Sequence, residues 1–347
     1  MGRISASVEL SRERSLQIRF LYYIATCVVI SIHCAIETPV HGVVQNVFIM
    51  YGTKWAVPFF FLMSGMFFHI THVNDFEGFK KAVVKKFWSL VVPYLLWCVI
   101  GFLLRVPLLL AEIKLSSLAL LLDAIFGISS QFPIGNGVLW FLRSLIVFQY
   151  GLMLILGCIS RDQRLRFISF LLLSILLGGG LLIHGMSVWL YTFVGTPSSP
   201  FYFFIGYIFS RRIILFKGFK NCLANVAFCI LLVGVAVLCA FLGFGTISRH
   251  IANLTTMLIF WVFMPTFETR GRFECVCLHT FFMYCVHRVP VEYLNKFFVY
   301  CGFNHILPAD IYYFIFTMIS ILLLTVASIL LSQKMTKVYK VLSGSRL

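Results

Sequence analysis

Apolar residues in this chain run on in long blocks and do not alternate with polar ones. In a stretch such as Phe170 to Leu182 every face of a helix would be apolar. A barrel strand, which alternates outward apolar and inward polar residues, does not fit that pattern. A helix rises 1.5 Å per residue, so about 20 such residues cross the roughly 30 Å of bilayer hydrocarbon. On that measure the chain has ten spans, at 18–37, 46–69, 87–105, 136–158, 167–185, 199–216, 222–243, 251–267, 274–293 and 308–332. The expected fold is an all-α polytopic membrane protein: a bundle of about ten transmembrane helices over 18–332, with a short segment at 1–17 and a basic tail at 333–347.

Local signals refine this frame. Pro58 and Pro93 fall inside spans and predict kinks. Gly178-Gly179-Gly180 and Ser64-Gly65 allow another helix to approach closely. Trp88, beside Lys85 and Lys86, and Trp140 suit the aromatic belts at the two membrane surfaces. The Leu-rich segment 106–135 is expected to lie partly in the interface.

Composition agrees with the pattern: of 347 residues, 61% are hydrophobic and 12% charged, and the mean hydropathy is +0.97. The net charge of +16 at first suggests a nucleic-acid partner. Its distribution excludes one. With the N-terminus inside, 21 of the 28 Lys and Arg residues fall in cytoplasmic segments, whereas outside segments and span edges hold only Arg105, Lys114, Arg249 and Lys296. Both termini are therefore expected in the cytoplasm, and the partner of the positive charge is the lipid bilayer. The first span lacks a small-residue cleavage site and reads as an uncleaved anchor. Most of the 11 Cys lie within spans and read as packing residues, and Cys275 with Cys277 does not make a metal site.

Charged and ionisable groups within hydrocarbon are costly and mark function by default. They are His33, Glu37, Lys54, Arg143, His287 and Arg288, all in the outer halves of their spans. Together they predict a positively charged cavity open toward the outer face. His33 and Glu37 are four apart and share a helical face, so the carboxylate is placed to orient the imidazole as a general base. The alternative reading, a histidine that only bonds across helices to hold the bundle, stays open at this level. Lys54 is equally compatible with snorkelling outward.

Six strings then appear in a familiar order. Ala25-Thr26-Cys27-Val28-Val29-Ile30-Ser31-Ile32-His33 and Val57-Pro58-Phe59-Phe60-Phe61-Leu62-Met63-Ser64-Gly65 come first. Lys85-Lys86 with Val92-Pro93-Tyr94-Leu95-Leu96-Trp97, and Leu139-Trp140-Phe141-Leu142-Arg143, follow. Tyr202-Phe203-Phe204-Ile205-Gly206 and Thr280-Phe281-Phe282-Met283-Tyr284-Cys285-Val286-His287 complete the set. The chain resembles the acyltransferase-3 family of integral membrane O-acyltransferases, in the stand-alone form without a globular esterase-like domain. Many members of that family carry an acidic and a basic residue thirteen and eleven positions before the first-helix histidine. Here those places hold Phe20 and Tyr22, while Arg19 faces broadly the same way as Tyr22 and is the candidate substitute.

The resemblance implies transfer of an acyl group, acetyl above all, from cytoplasmic acetyl-CoA or another acyl-CoA to a hydroxyl of a cell-envelope glycan or lipid-linked sugar. It implies the inner membrane of a bacterium and no bound cofactor. The site residues implied are His33, Glu37 and Arg143 for catalysis, Lys54, His287 and Arg288 for substrate, and Arg19, Lys85 and Lys86 for the donor's phosphates. A competing class is a transporter or exporter of an anionic or glycan substrate, and a third is a structural subunit of an envelope assembly.

Overall fold

The computed structural model describes residues 12–39, 41–68, 75–109, 118–126, 136–184, 198–216, 222–263 and 276–344. Segment 1–11, much of 106–135, and Arg3, His69, His72, Lys114, Lys217, Lys220, Arg270, Arg272, Cys275 and Arg346 lie outside the described residues. Among the described residues every regular element is a helix. They are α1 (Arg12–Glu37), α2 (Val43–Val47), α3 (Ala56–Phe68), α4 (Phe76–Lys86), α5 (Val92–Leu109), α6 (Leu118–Phe126), α7 (Trp140–Cys158) and α8 (Gln163–His184). After them come α9 (Ser199–Leu215), α10 (Cys222–Phe241), α11 (Gly245–Phe263), α12 (Thr280–Val286), α13 (Arg288–Tyr300), α14 (Phe303–Ile306), α15 (Ala309–Lys334) and α16 (Thr336–Leu342). Among the described residues six stretches are long and apolar enough to cross a membrane: Arg12–Glu37, Val43–Phe68, Phe76–Arg105, Gly137–Cys158, Cys222–Cys239 and Ala309–Lys334. Helices also occupy the other four positions of the sequence pattern, as α8, α9, α11 and the α12–α13 pair.

Three of the expected spans are interrupted, each beside a proline. The second is α2, a π-helical turn Phe48–Gly52, a turn at 53–55 and then α3, with Pro58 in the first turn of α3, where a missing N–H costs nothing. Before α5, residues Phe87–Val91 form another π-helical turn. Pro93 has no N–H for the Ser89 carbonyl and its ring crowds that oxygen, so the hydrogen-bond ladder widens just ahead of it. Gly344, at φ +65°, lies against this carbonyl; a Cβ there would stand 2.4 Å from the Ser89 oxygen. The ninth span divides at His287, with Pro290 in the first turn of α13.

Close backbone contact between α3 and α9 is made by two glycines. A Cβ on Gly65 would lie 1.9 Å from the Phe203 carbonyl oxygen, and one on Gly206 would lie 1.9 Å from that of Leu62. In lipid, where helices gain little from the hydrophobic effect, such approach supplies the packing. Around it Phe60, Phe61, Phe141, Phe148 and Tyr284 form an aromatic core joining α3, α7 and α12, with ring centroids 4.5–6.1 Å apart. A second core, including Ile30, Met283, Phe298, Tyr312 and Phe316, joins α1 to α12, α13 and α15.

Beyond the apolar segments, Asp162 ties two helices. Its carboxylate accepts from Leu165 N–H at 3.1 Å and Arg164 N–H at 2.9 Å, capping α8, and from Phe76 N–H at 2.9 Å at the start of α4. These bonds, that from Leu165 foremost, hold its carboxyl below the usual carboxylate range. The expected tail at 333–347 is in part a docked helix: Tyr339 is fully buried, its hydroxyl is 2.6 Å from His279 Nδ1, and Trp97 Nε1 donates to the Leu342 carbonyl at 3.0 Å.

Candidate active site

Helix α1 positions the first components by periodicity alone. At 100° per residue, Arg19, Tyr22, Thr26, His33 and Glu37 fall within a stripe about 60° wide. The lower part of this stripe faces a cavity of about 500 Å³. Arg19, Tyr22 and Thr26 line it from α1, Ser64 and Phe67 from α3, Lys86 from the end of α4, Ser89 from the widened turn before α5, Gln149 from α7 and Tyr284 from α12. Arg19 and Tyr22 thus share one cavity, as the helical arithmetic predicts. Lys86 reaches it; Lys85, expected beside it, is exposed on another face of α4.

Beyond the cavity lining, which includes Tyr284 of α12, lies a cluster of ionisable groups. His287 is one turn further along, and its Nδ1 is 2.7 Å from the Tyr284 carbonyl oxygen. A carbonyl only accepts, so in the neutral ring Nδ1 carries the hydrogen and Nε2 the lone pair. That Nε2 is buried without a hydrogen-bond partner. The His33 ring lies beside it, with centroids 4.9 Å apart. Arg288 Nη1 is 3.4 Å from His33 Nδ1 and 2.7 Å from Glu37 Oε1. A guanidinium only donates, so His33 accepts at Nδ1 and presents N–H at Nε2. The two imidazoles therefore hold opposite tautomers and offer one N–H and one lone pair.

This geometry corrects several expectations. Glu37 pairs with Arg288, and Arg288 stands between the carboxylate and His33; the direct His33–Glu37 contact is replaced by a relay. The reason is reach: residues four apart on α1 are stacked along the axis, whereas the guanidinium of α13 enters between them from the side. The Glu37–Arg288 pair also compensates part of the charge expected to make a positive outer cavity. Lys54 is exposed in the turn at 53–55, because the span breaks there instead of carrying it into the bundle. Arg143 is buried at 5% exposure, but its neighbours are Tyr94 and Cys98 of α5. A separate ion pair joins α5 to α13, Arg105 to Glu292 at 2.9 Å.

Three site residues escape a reading based on charge: Thr26, Gln149 and Tyr284. Gln149 had a signal, an amide within the apolar run Ile146-Val147-Phe148. Thr26 had none, since a lone threonine in an apolar helix is ordinary and nothing in the sequence shows that its hydroxyl lacks a partner.

A family model described as an acyltransferase domain matches residues 17–332. The chain belongs to the acyltransferase-3 family. No curated protein and no solved structure matches it. Membership makes the chain a membrane acyltransferase in general terms, and the match covers both the cavity and the histidine pair. In an acyltransferase, two adjacent imidazoles of opposite tautomer are equipped to take a proton from a nucleophile and to donate a hydrogen bond to a developing oxyanion.

Proposed function

We propose that this protein is an O-acyltransferase that takes an acyl group, acetyl in the first instance, from cytoplasmic acyl-CoA and transfers it to a hydroxyl of an envelope glycan or lipid-linked sugar. The observation that carries the reading is the alignment, in a chain of acyltransferase family, of a cavity bordered by Arg19 and Lys86 with the His33–His287 pair along one stripe of α1. Arg19 to His33 is about 21 Å of helix rise, a separation that suits a donor with phosphates at one end and its thioester at the other. The topology that goes with this is ten spans over 18–332 in the inner membrane of a bacterium, both termini cytoplasmic, with the donor entering from inside and no bound cofactor.

In the proposed reaction the acceptor oxygen attacks the thioester carbonyl carbon. Its proton passes to His287 Nε2, while His33 N–H, with Arg288 and Glu37 behind it, steadies the oxyanion. The C–S bond breaks as the ester carbonyl re-forms, and the leaving thiolate takes from His287 the proton that came from the acceptor hydroxyl, which gives the free thiol and restores neutral His287. Glu37 acts by holding Arg288, and Arg143 is assigned to the acceptor.

The test is acyl transfer in membranes that contain the chain, radiolabelled acetyl-CoA and extracted envelope glycans, followed as base-labile label. Wild type should give label, and His33→Gln or His287→Gln should reduce it at least 100-fold at equal protein amount. Glycan flux without new ester would replace this reading with transport. Cysteine accessibility at the termini reads the orientation; labelling from outside would overturn it.

A further inference from the structure

Gln149 and Thr26 are anomalous among the cavity-lining groups. Gln149 is 4% exposed and its Oε1 has no hydrogen-bond partner; Thr26 is fully buried and its hydroxyl has none either. Buried polar atoms are paired in the great majority of cases, so two orphans in one wall call for a ligand or water that pairs them. Both line the same cavity, Thr26 about 10 Å along α1 from Arg19. Between and around them the lining is Phe60, Phe67, Phe141 and Leu145. The wall therefore presents the cations Arg19 and Lys86 together with hydroxyls such as Ser64 and Thr280, and Gln149 and Thr26 are the two polar groups set among its apolar rings without a partner.

We infer that Gln149 and Thr26 read the amide-bearing arm of the donor, a phosphopantetheine-type chain in which secondary amides are separated by methylene groups. The inference rests on the acyl-CoA reading above. Gln149 Oε1 accepts the N–H of one amide and Thr26 Oγ1 donates to an amide carbonyl, while the methylenes lie on the aromatic rings. Phosphate oxygens of the arm's far end meet Arg19 and Lys86. A plain hydrocarbon chain leaves both polar groups unpaired. The two residues are thus specificity-determining residues for the donor rather than catalytic ones.

The experiment uses full-length chain in membranes, with wild type, Gln149→Leu and Thr26→Val, the latter nearly isosteric. Rates are measured with acetyl-CoA and with an S-acetyl alkanethiol of matching length that lacks amides. Each variant should raise KM for acetyl-CoA about 10-fold or more and change kcat little. For the amide-free thioester the variants should equal or surpass wild type. Unchanged KM for acetyl-CoA overturns the inference, and so does an equal loss on both donors, which marks a purely structural role. Binding of radiolabelled coenzyme A to the purified chain separates the two levels. Binding that is present in wild type and weakened in Gln149→Leu, without turnover, upholds the arm reading and refutes the transfer reading. No binding and no turnover in wild type refutes both.

Discussion

Gly65→Ala tests whether close backbone approach holds α3 on α9. The added methyl carbon would lie 1.9 Å from the Phe203 carbonyl oxygen, 2.8 Å from its carbon and 3.0 Å from the Tyr207 nitrogen. Carbon–oxygen contacts of this kind settle at about 3.3 Å, so the helices must part by about 1.4 Å. A gap of 0.5–1 Å already forfeits a quarter to a half of a dispersion contact, and Phe203 and Met66 on this crossing are fully buried. Overpacking costs about 1–3 kcal/mol, and with backbone on the opposing side and no hydrophobic term to offset it, a loss of about 3 kcal/mol is expected. Gly206 meets the Leu62 carbonyl in the mirror arrangement, at 1.9 Å, 2.8 Å and, for the Met66 nitrogen, 3.0 Å. One separation of the helices relieves both clashes. The double variant Gly65→Ala/Gly206→Ala should therefore cost less than the sum of the singles by about 1 kcal/mol or more. Gly151→Ala and Gly234→Ala are internal controls: nothing lies within 4 Å of either added carbon, and helix propensity makes each neutral to about 1 kcal/mol stabilising. The assay is unfolding in mixed micelles with increasing dodecyl sulfate, followed by tryptophan fluorescence. A Gly65→Ala protein within about 0.5 kcal/mol of wild type, or strict additivity of the pair, refutes the reasoning.

Other expectations concern the site and its supports. Arg288→Ala strands Glu37 and releases His33, and should cost about 2 kcal/mol in the same unfolding assay and at least 100-fold in acyl transfer; transfer at wild-type rate removes Arg288 from the mechanism. Lys54→Ala should keep transfer within a factor of about two, since the side chain is exposed in the turn at 53–55; a large loss would return Lys54 to the site. The Asp162 carboxyl titrates lower in the folded chain than in the unfolded one, so the folded state binds fewer protons. Its stabilisation is present above the usual carboxylate pKa of about 4 and is lost as pH falls through the depressed folded value. Unfolding curves from neutral pH downward should therefore converge for wild type and Asp162→Asn, and parallel curves would exclude the effect. Tyr339→Phe removes the 2.6 Å bond to His279 and should cost about 1–2 kcal/mol, read by loss of protection of 336–342 in hydrogen exchange.

Most of the site's chemistry was legible before any packing was known. Hydrocarbon makes each ionisable group conspicuous, so His33, Glu37, Arg143, His287 and Arg288 stand out of the apolar runs unaided. The interruptions were legible at Pro58 and Pro93, though only the backbone gives their form, two π-helical turns and a turn at 53–55. Lys54 was misplaced because hydropathy assigns depth along an unbroken helix, and this one breaks beside it. Thr26 stayed silent, and Gln149 showed only as an amide in an apolar run, because their significance is a missing partner, and a partner is a fact about neighbours.

The amino-acid pattern establishes a helical membrane chain, and the stripe of α1 that carries Arg19, Thr26, His33 and Glu37, since 3.6 residues per turn settles azimuth and rise within one helix. Which helices meet is a separate matter. Arg288 lies more than 250 positions from His33 along the chain, yet reaches it at 3.4 Å while pairing with Glu37. Periodicity carries no information about that pairing. It follows from the second core, where Ile30 of α1 packs with Met283, Phe298, Tyr312 and Phe316 and so brings α13 against α1, steric fit and not hydrophobicity selecting the neighbour in lipid. Tertiary packing thereby assigned the tautomers of two histidines and left two polar groups waiting in the cavity wall.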